Sequence, residues 1–183
     1  DDLLIGDKNA VMIGTRILGY GSEYNAVITD PETNKEVELS VDLTTFKPKE
    51  IDESLFEAGE NKFSFELPNS KRIVEFKMLT GHDEKSIDGK LEDLEKVEKL
   101  TGVSSELTTR IKHQLISVDG NTDRKFIDNF VDNEFLALDT RAYRKYVASI
   151  TPDIDMVIDY TTQGTGKNFK VDVPLGLEFF WPA

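Results

Sequence analysis

Val37-Glu38-Leu39-Ser40-Val41-Asp42-Leu43, near the start of the chain, has the same shape as Phe169-Lys170-Val171-Asp172-Val173-Pro174-Leu175, near its end. Each stretch is preceded along the chain by a shorter strand-like run, Val27-Ile28-Thr29 in the first case and Val157-Ile158-Asp159 in the second. A cluster of turn-forming residues separates the short run from the quoted stretch in both cases. Strand-like runs on both sides of such a cluster predict a β-hairpin. We therefore predict two similar, knuckle-like hairpins, over residues 22–43 and 153–177, which represent a weak internal duplication and pair in space.

The sequence between these hairpins predicts a middle hairpin and then helices. Phe63, Phe65 and Leu67 alternate with polar residues before a turn, and a second apolar run returns. From residue 80 to residue 150, apolar residues recur at helical spacing in about four segments, the second of which runs through Leu115. A shorter helix, from Asp7 to Leu18, precedes the first hairpin. We predict an α+β fold, a single domain over residues 1–183, in which the similar hairpins bracket a helical region over residues 80–150.

The composition excludes several classes of function. The 183 residues include 22 Lys+Arg against 35 Asp+Glu, a formal net charge of -13, which argues against binding to nucleic acid or to an anionic membrane surface. The chain has no cysteine, which excludes disulfides, thiol nucleophiles and cysteine-based metal sites. No apolar run approaches the roughly 20 residues of a membrane span. Because the chain starts at Asp1 without a signal-peptide pattern, we expect a processed or truncated soluble protein.

Two glycine-containing segments resemble ligand loops but favour turns. Asp119-Gly120-Asn121-Thr122-Asp123 begins like a calcium loop, yet the required later glycine and glutamate are absent, so we expect Thr122 or Asp123 to cap the next helix. Gly164-Thr165-Gly166-Lys167 lacks the spacing and the following helix of a phosphate loop, and is typical of a hairpin turn.

The candidate acid–base residues form no recognisable catalytic motif. His82 and His113 are unaccompanied by any nucleophile motif. Asp153 and Asp155 share one face of an extended segment, but such pairs arise by chance among 35 acids. We therefore expect no catalytic residue, no metal and no cofactor.

A basic cluster stands out in this acidic chain. Arg141, Arg144 and Lys145 fall on one side of a predicted helix through their i, i+3 and i+4 spacing. Two interpretations stay open: pairing with acids of the same chain, or docking onto the acids of a partner.

The chain ends in consecutive aromatic residues. Phe179, Phe180 and Trp181 lie at a terminus, where a chain normally frays, so they pack either into this protein's own core or into a neighbouring protein. We take Arg141 and Arg144, with these three aromatics, as candidate interface residues.

Several segments together resemble the T4-type phage baseplate protein family, the hub components of contractile phage tails. The resemblance runs in order along nearly the whole chain, through Leu3-Leu4-Ile5-Gly6-Asp7-Lys8-Asn9-Ala10, Arg16-Ile17-Leu18-Gly19-Tyr20-Gly21, Leu79-Thr80-Gly81-His82-Asp83-Glu84, Leu138-Asp139-Thr140-Arg141-Ala142-Tyr143-Arg144-Lys145-Tyr146 and Phe179-Phe180-Trp181-Pro182. It implies a structural or assembly protein, not an enzyme, that binds other tail and baseplate proteins, with several copies in a symmetric assembly. The implied location is the virion baseplate, and the host cytoplasm during assembly.

The chain departs from this family in its hairpin turns. Members commonly carry a C-x-x-C pair in each of the two turns, which implies a split four-cysteine zinc site. Here the turns are Asp30-Pro31-Glu32-Thr33-Asn34 and residues 161–167, without a thiol, so the resemblance implies degenerate, zinc-ribbon-like hairpins. Two alternatives to a hub subunit stay open: a transient tail-assembly chaperone, and a carboxylate-based hydrolase of cell-wall glycans.

Overall fold

Two separate hydrophobic clusters organise the part of the chain that the structure describes. The computed structural model describes residues 2–101, 105–162, 164–175 and 179, without the side chains of residue 93 and of residues 95–101. One compact unit, here the helical unit, comprises Asp1–Ile5 and Ile51–Thr151; the other, the hairpin unit, comprises Gly6–Glu50 and Pro152–Ala183. Each cluster draws its members from one unit. The single domain expected over residues 1–183 stays a prediction, and within it the two knuckle-like hairpins share a core of their own.

The α+β class is confirmed by helices and small antiparallel sheets within the described residues. The helices are α1 (Ile5–Tyr20), α2 (Gly81–Thr101), α3 (Glu106–Gln114), α4 (Arg124–Asn129) and α5 (Ala137–Ile150). The strands are β1 (Glu23–Thr29), β2 (Glu36–Asp42), β3 (Lys47–Pro48), β4 (Phe63–Glu66), β5 (Ile73–Phe76), β6 (Leu115–Val118), β7 (Ile154–Asp155), β8 (Val157–Thr161) and β9 (Asn168–Asp172). Among the described residues, no helix combines the length and the apolar character that crossing a membrane requires.

The hairpin unit joins the two predicted hairpins with α1. Strand β1 pairs with β2, and β8 with β9, in two separate antiparallel sheets, while β3 pairs with β7. Alternate residues of β1 are buried, as expected for a strand with one face on a core. The predicted pairing of the hairpins in space is therefore made through side chains, and in the described part of the chain neither β1 nor β2 pairs with β8 or β9.

One six-residue turn recurs in all three hairpins. In each, the N–H of the first residue donates to the carbonyl of the sixth, and the N–H of the fifth donates to the carbonyl of the first. The turns span residues 30–35, 67–72 and 162–167. The fifth residue has a positive φ in every case: 53° at Asn34, 60° at Lys71 and 71° at Gly166. The turn geometry thus supports the similarity of the two outer hairpins and extends it to the middle one.

The helical unit is built on a three-stranded sheet in the order β4-β5-β6. The predicted middle hairpin is β4 and β5, and the four predicted helices correspond to α2, α3, α4 and α5. Strand β6 was not predicted, since the spacing of Leu107, Ile111 and Leu115 favoured a continuing helix. The main chain leaves the helix after Gln114 and pairs with β5, which buries Leu115 and Val118. Tertiary pairing here overrides local periodicity.

Helix α5 is attached to this sheet by buried groups on one side. The Asp139 carboxylate, fully buried in the first turn of α5, accepts hydrogen bonds from the backbone N–H of Asn69 at 2.8 Å and of Ser70 at 2.9 Å. Tyr143, also fully buried, meets the Phe76 ring edge-on with 5.2 Å between centroids. These contacts hold one face of α5 against the core and leave the other face exposed.

Candidate functional site

The exposed face of α5 carries the predicted basic cluster. Arg141, Arg144 and Lys145 are all exposed, and none of them forms an ion pair within the described part of the chain. Several other cations of the helical unit are paired with carboxylates, for example Lys112 with Asp132 at 2.6 Å. Of the two interpretations, intramolecular pairing is therefore not seen for the cluster with any carboxylate that the structure describes.

The basic cluster borders a groove with an apolar floor. The groove has a volume of about 540 Å³ and is lined by Leu79, Leu107, Arg110, Ile111, Gln114, Arg141, Arg144, Lys145, Val147 and Ala148. Ile111 and Val147 are buried beneath it, whereas Leu107 keeps 40% of its surface exposed. A surface of this kind offers apolar contact at its base and uncompensated positive charge at its rim. We call it the α3–α5 groove.

Arg110 fixes the rim of the α3–α5 groove on the α3 side. Its guanidinium donates to Glu84 at 2.5 Å and to Glu106 at 3.1 Å. Hydrogen bonding to Glu84, and then to Glu106, raises the pKa of Arg110 above its ordinary value. Arg110 is therefore a positioned member of the rim, while the cations of α5 keep their hydrogen-bonding capacity for another partner.

The C-terminal aromatics divide between core and undescribed residues. Phe179 is fully buried in the core of the hairpin unit, where its ring meets Tyr24 edge-on with 5.0 Å between centroids. An interface role for Phe179 is thus replaced by a core role, because the side chain has no exposed surface to offer. Phe180 and Trp181 lie outside the described residues.

The turns of the two outer hairpins are joined by carboxylate and hydroxyl groups. Tyr160 donates its hydroxyl to Asp30 at 2.8 Å, across 130 positions of sequence. Thr162 and Thr165 both donate to the same oxygen of Glu32, at 2.9 Å and 2.5 Å. Lys167 adds an ion pair to Glu32 at 3.1 Å. We call this group of contacts the turn clasp.

The turn clasp lies in the two hairpin turns for which the family resemblance implies a zinc site. Asp30 and Thr33, and Thr162 and Thr165, have the spacing of the two C-x-x-C pairs. This donor set has one carboxylate and three hydroxyls, and zinc in structural sites prefers thiolate and imidazole. The Asp30 carboxylate instead accepts the N–H groups of Glu32 and Thr33, and two of the threonine hydroxyls are bound to Glu32. The residues present do not fit zinc.

The remaining sequence candidates have structural roles where the structure describes them. Asp123 caps α4 by accepting from the N–H of Phe126, as predicted for the calcium-like segment. Residues 162–167 form the hairpin turn predicted for the phosphate-loop-like segment. Asp153 accepts from Asn9 and Asp155 accepts from the N–H of Val157, so both carboxylates serve local structure. Within the described part of the chain, no three His, Asp or Glu side chains gather as a metal site would require.

Both histidines border a second cavity of the helical unit, and no sequence pattern predicted that they would meet. His82 lies in the first turn of α2 and His113 near the end of α3, 31 positions apart by their residue numbers, yet both line the same space.

Searches for similar proteins found no matching family model, no matching curated protein and no matching solved structure.

Proposed function

We propose that this protein is a structural or assembly component of a contractile phage tail, a baseplate hub protein that acts by binding other tail proteins. The family resemblance suggests this role, and the α3–α5 groove is the observation that supports a binding function. In an acidic chain, three exposed cations without a carboxylate partner among the described residues form a surface suited to an external acidic group. The proposed location is the tail baseplate of the virion, with assembly in the host cytoplasm.

The groove also indicates the chemistry of its occupant. Its apolar floor suits one or two inserted apolar side chains, and its rim suits carboxylates that flank them. We therefore propose that the groove binds an acidic segment of a neighbouring tail protein, with an apolar residue at the centre of that segment. Binding of this kind weakens as salt concentration rises, because exposed charge pairs are screened.

The test uses infected or producing cells that express the full chain carrying Arg141→Ser and Arg144→Ser together. We expect the wild-type protein to co-purify with tail particles. The amount of the double variant that co-purifies should be about tenfold lower, because both rim cations are removed. The matched control is Lys85→Ser with Lys125→Ser, which removes the same charge from exposed positions outside the groove.

Four outcomes test the proposal and its alternatives. Fixed stoichiometry in mature tails supports a hub subunit, whereas presence in assembly intermediates alone supports the chaperone. Co-purification with no tail protein contradicts the proposal altogether. Equal loss in the control pair would show that overall charge, rather than the groove, governs association.

A further inference from the structure

The cavity that both histidines line has a basic lining, with three lysine or arginine side chains. It has a volume of about 360 Å³ and is lined by Lys77, His82, Asp83, Ser86, Lys90, His113, Leu115 and Arg124. Asp83 is the one carboxylate in this lining. In a chain with 35 acidic and 22 basic residues, such a lining reverses the average charge of the surface.

Two of the three cations in the cavity already have carboxylate partners. Lys77 contacts Asp83 at 2.7 Å, and Arg124 contacts Asp128 at 2.7 Å. Arg124 is fixed further, because its guanidinium donates to the carbonyls of Lys112 and Leu115. Lys77 and Arg124 therefore add positive charge to the cavity, while their hydrogen-bond donors are already used within the protein.

Lys90 is the cation that lacks an acidic partner among the described side chains. Its Nζ lies 2.8 Å from Nε2 of His113. An ammonium group can only donate, so Nε2 must accept, and His113 is neutral with its proton on Nδ1. Protonation of His113 would place two positive donors face to face and break this contact.

The surroundings of His113 oppose its protonation. Burial is the largest effect that lowers the pKa of His113, followed by the charges of Lys90 and Arg124. Lys77 acts in the same direction, and Asp83 acts against it. The cavity is therefore a place where added negative charge would be stabilised.

We propose that this cavity binds a tetrahedral oxyanion of the phosphate class, either free phosphate or the phosphate group of a larger molecule. The anion inserts between Lys90 and His113, accepts a hydrogen bond from each, and allows His113 to take up a proton. His82, Ser86 and Lys90 follow one another at i, i+4 and i+8 on α2, so their side chains share one face of the helix and provide further donors. Several converging donors suit the four oxygens of a tetrahedral dianion better than the two of a carboxylate.

The test is a proton NMR titration of the full chain, observing the Cε1 protons of its two histidines, which His82→Gln and His113→Gln assign. Sulfate is the first probe, because it stays a dianion throughout the titration of histidine, and inorganic phosphate is the second. We expect saturable shifts with both anions, with a Kd on the order of 1 mM, and an increase in the pKa of His113 when the anion is bound. A phosphoserine peptide tests whether the phosphate group of a larger molecule binds more tightly than free phosphate; weaker binding of the peptide would assign the site to the free ion.

Lys90→Met should weaken sulfate binding by about tenfold and remove the coupled change at His113. Lys125→Met is the matched control, since it removes one exposed lysine charge outside the cavity lining and should leave binding unchanged. The proposal is overturned if chloride or acetate at the same ionic strength produces equal shifts, if the shifts do not saturate, or if Lys90→Met binds as the wild type does. Because Lys90 is exposed, its replacement does not remove a core contact.

Discussion

Tyr160 donates its hydroxyl to the buried carboxylate of Asp30 at 2.8 Å and thereby joins the two outer hairpins of the chain. The same carboxylate accepts the N–H groups of Glu32 and Thr33, so its two oxygens hold a turn and a neighbouring hairpin at once. Asp139 has the same role in the middle hairpin. Its carboxylate accepts hydrogen bonds from the backbone N–H groups of Asn69 and Ser70, the third and fourth residues of that turn. A turn of this shape presents two adjacent N–H groups, and a carboxylate satisfies both.

Removal of the Tyr160 hydroxyl should weaken the hairpin unit. Tyr160→Phe keeps the ring and deletes the donor, which leaves a buried oxygen of Asp30 without its partner. We expect the melting temperature to fall by about 5 °C, measured by circular dichroism. Tyr20→Phe, at an exposed position of α1, is the matched control and should melt as the wild type does. An equal effect of both changes would contradict the role assigned to the Tyr160 contact.

The turn clasp should make stability depend on acidity. Hydrogen bonds from the backbone of Thr33 and from Tyr160 lower the pKa of Asp30, and those from Thr165 and Thr162 lower the pKa of Glu32. A carboxyl group with a lowered pKa stabilises the folded state at pH values above its ordinary pKa, which is 3.8 for Asp30 and 4.5 for Glu32. This stabilisation is lost as the pH falls below the ordinary pKa and through the lower pKa of the folded state.

Thermal melts between neutral and acidic pH test the contribution of Glu32. Glu32→Gln should lower stability near neutrality and reduce its loss on acidification, since this carboxylate no longer has a proton to take up. Glu36→Gln, at an exposed position of β2, should retain the wild-type pH profile. Identical profiles for Glu32→Gln and the wild type would show that the clasp carries no linked protonation.

Asp139 should be among the most sensitive positions of the helical unit. Asp139→Asn presents an amide N–H₂ group to one of the two turn N–H groups, so a buried donor faces a buried donor. We expect a loss of about 2 to 3 kcal/mol in the free energy of unfolding, measured by urea denaturation. Asp132→Asn, which removes an exposed ion pair to Lys112, should cost less than about 1 kcal/mol. A smaller loss for Asp139→Asn than for Asp132→Asn would refute the importance of the buried carboxylate.

Two glycines of α1 should respond to replacement by alanine with opposite changes in stability. A Cβ on Gly6 would lie 1.8 Å from the carbonyl oxygen of Pro152, whereas a Cβ on Gly14 would meet nothing within 4 Å. Gly6→Ala therefore forces backbone to move and should destabilise the hairpin unit. Gly14→Ala should stabilise α1 by roughly 1 kcal/mol, because alanine has the higher helix propensity. Urea denaturation of both variants checks the prediction, and a stabilised Gly6→Ala would contradict the close approach.

Phe179 should behave as a core residue. Phe179→Ala removes a fully buried ring from its contact with Tyr24, and we expect a loss of about 3 to 5 kcal/mol in the free energy of unfolding. Truncation after residue 177 should consequently lower the melting temperature of the hairpin unit. Unchanged melting after truncation would instead return Phe179 to the interface.

The sequence by itself determined the hairpins, the helices and the basic face of α5. Alternation of apolar residues around turn formers marked β1, β2, β8 and β9, and helical spacing placed Arg141, Arg144 and Lys145 on one side of a helix. These features are local, because the 2-residue and 3.6-residue periods report directly on which face of an element is buried.

Tertiary structure alone decided which distant groups meet. Strand β6 forms because the edge of β5 needs hydrogen-bond partners, and no local period announces that pairing. Asp30 with Tyr160 and Lys90 with His113 are separated by 130 and 23 residues, and each contact depends on how separate elements pack. The polar residues of the two turns are visible in the sequence, but the hydrogen bonds from Thr162 and Thr165 to Glu32 become apparent only when the two turns are seen together.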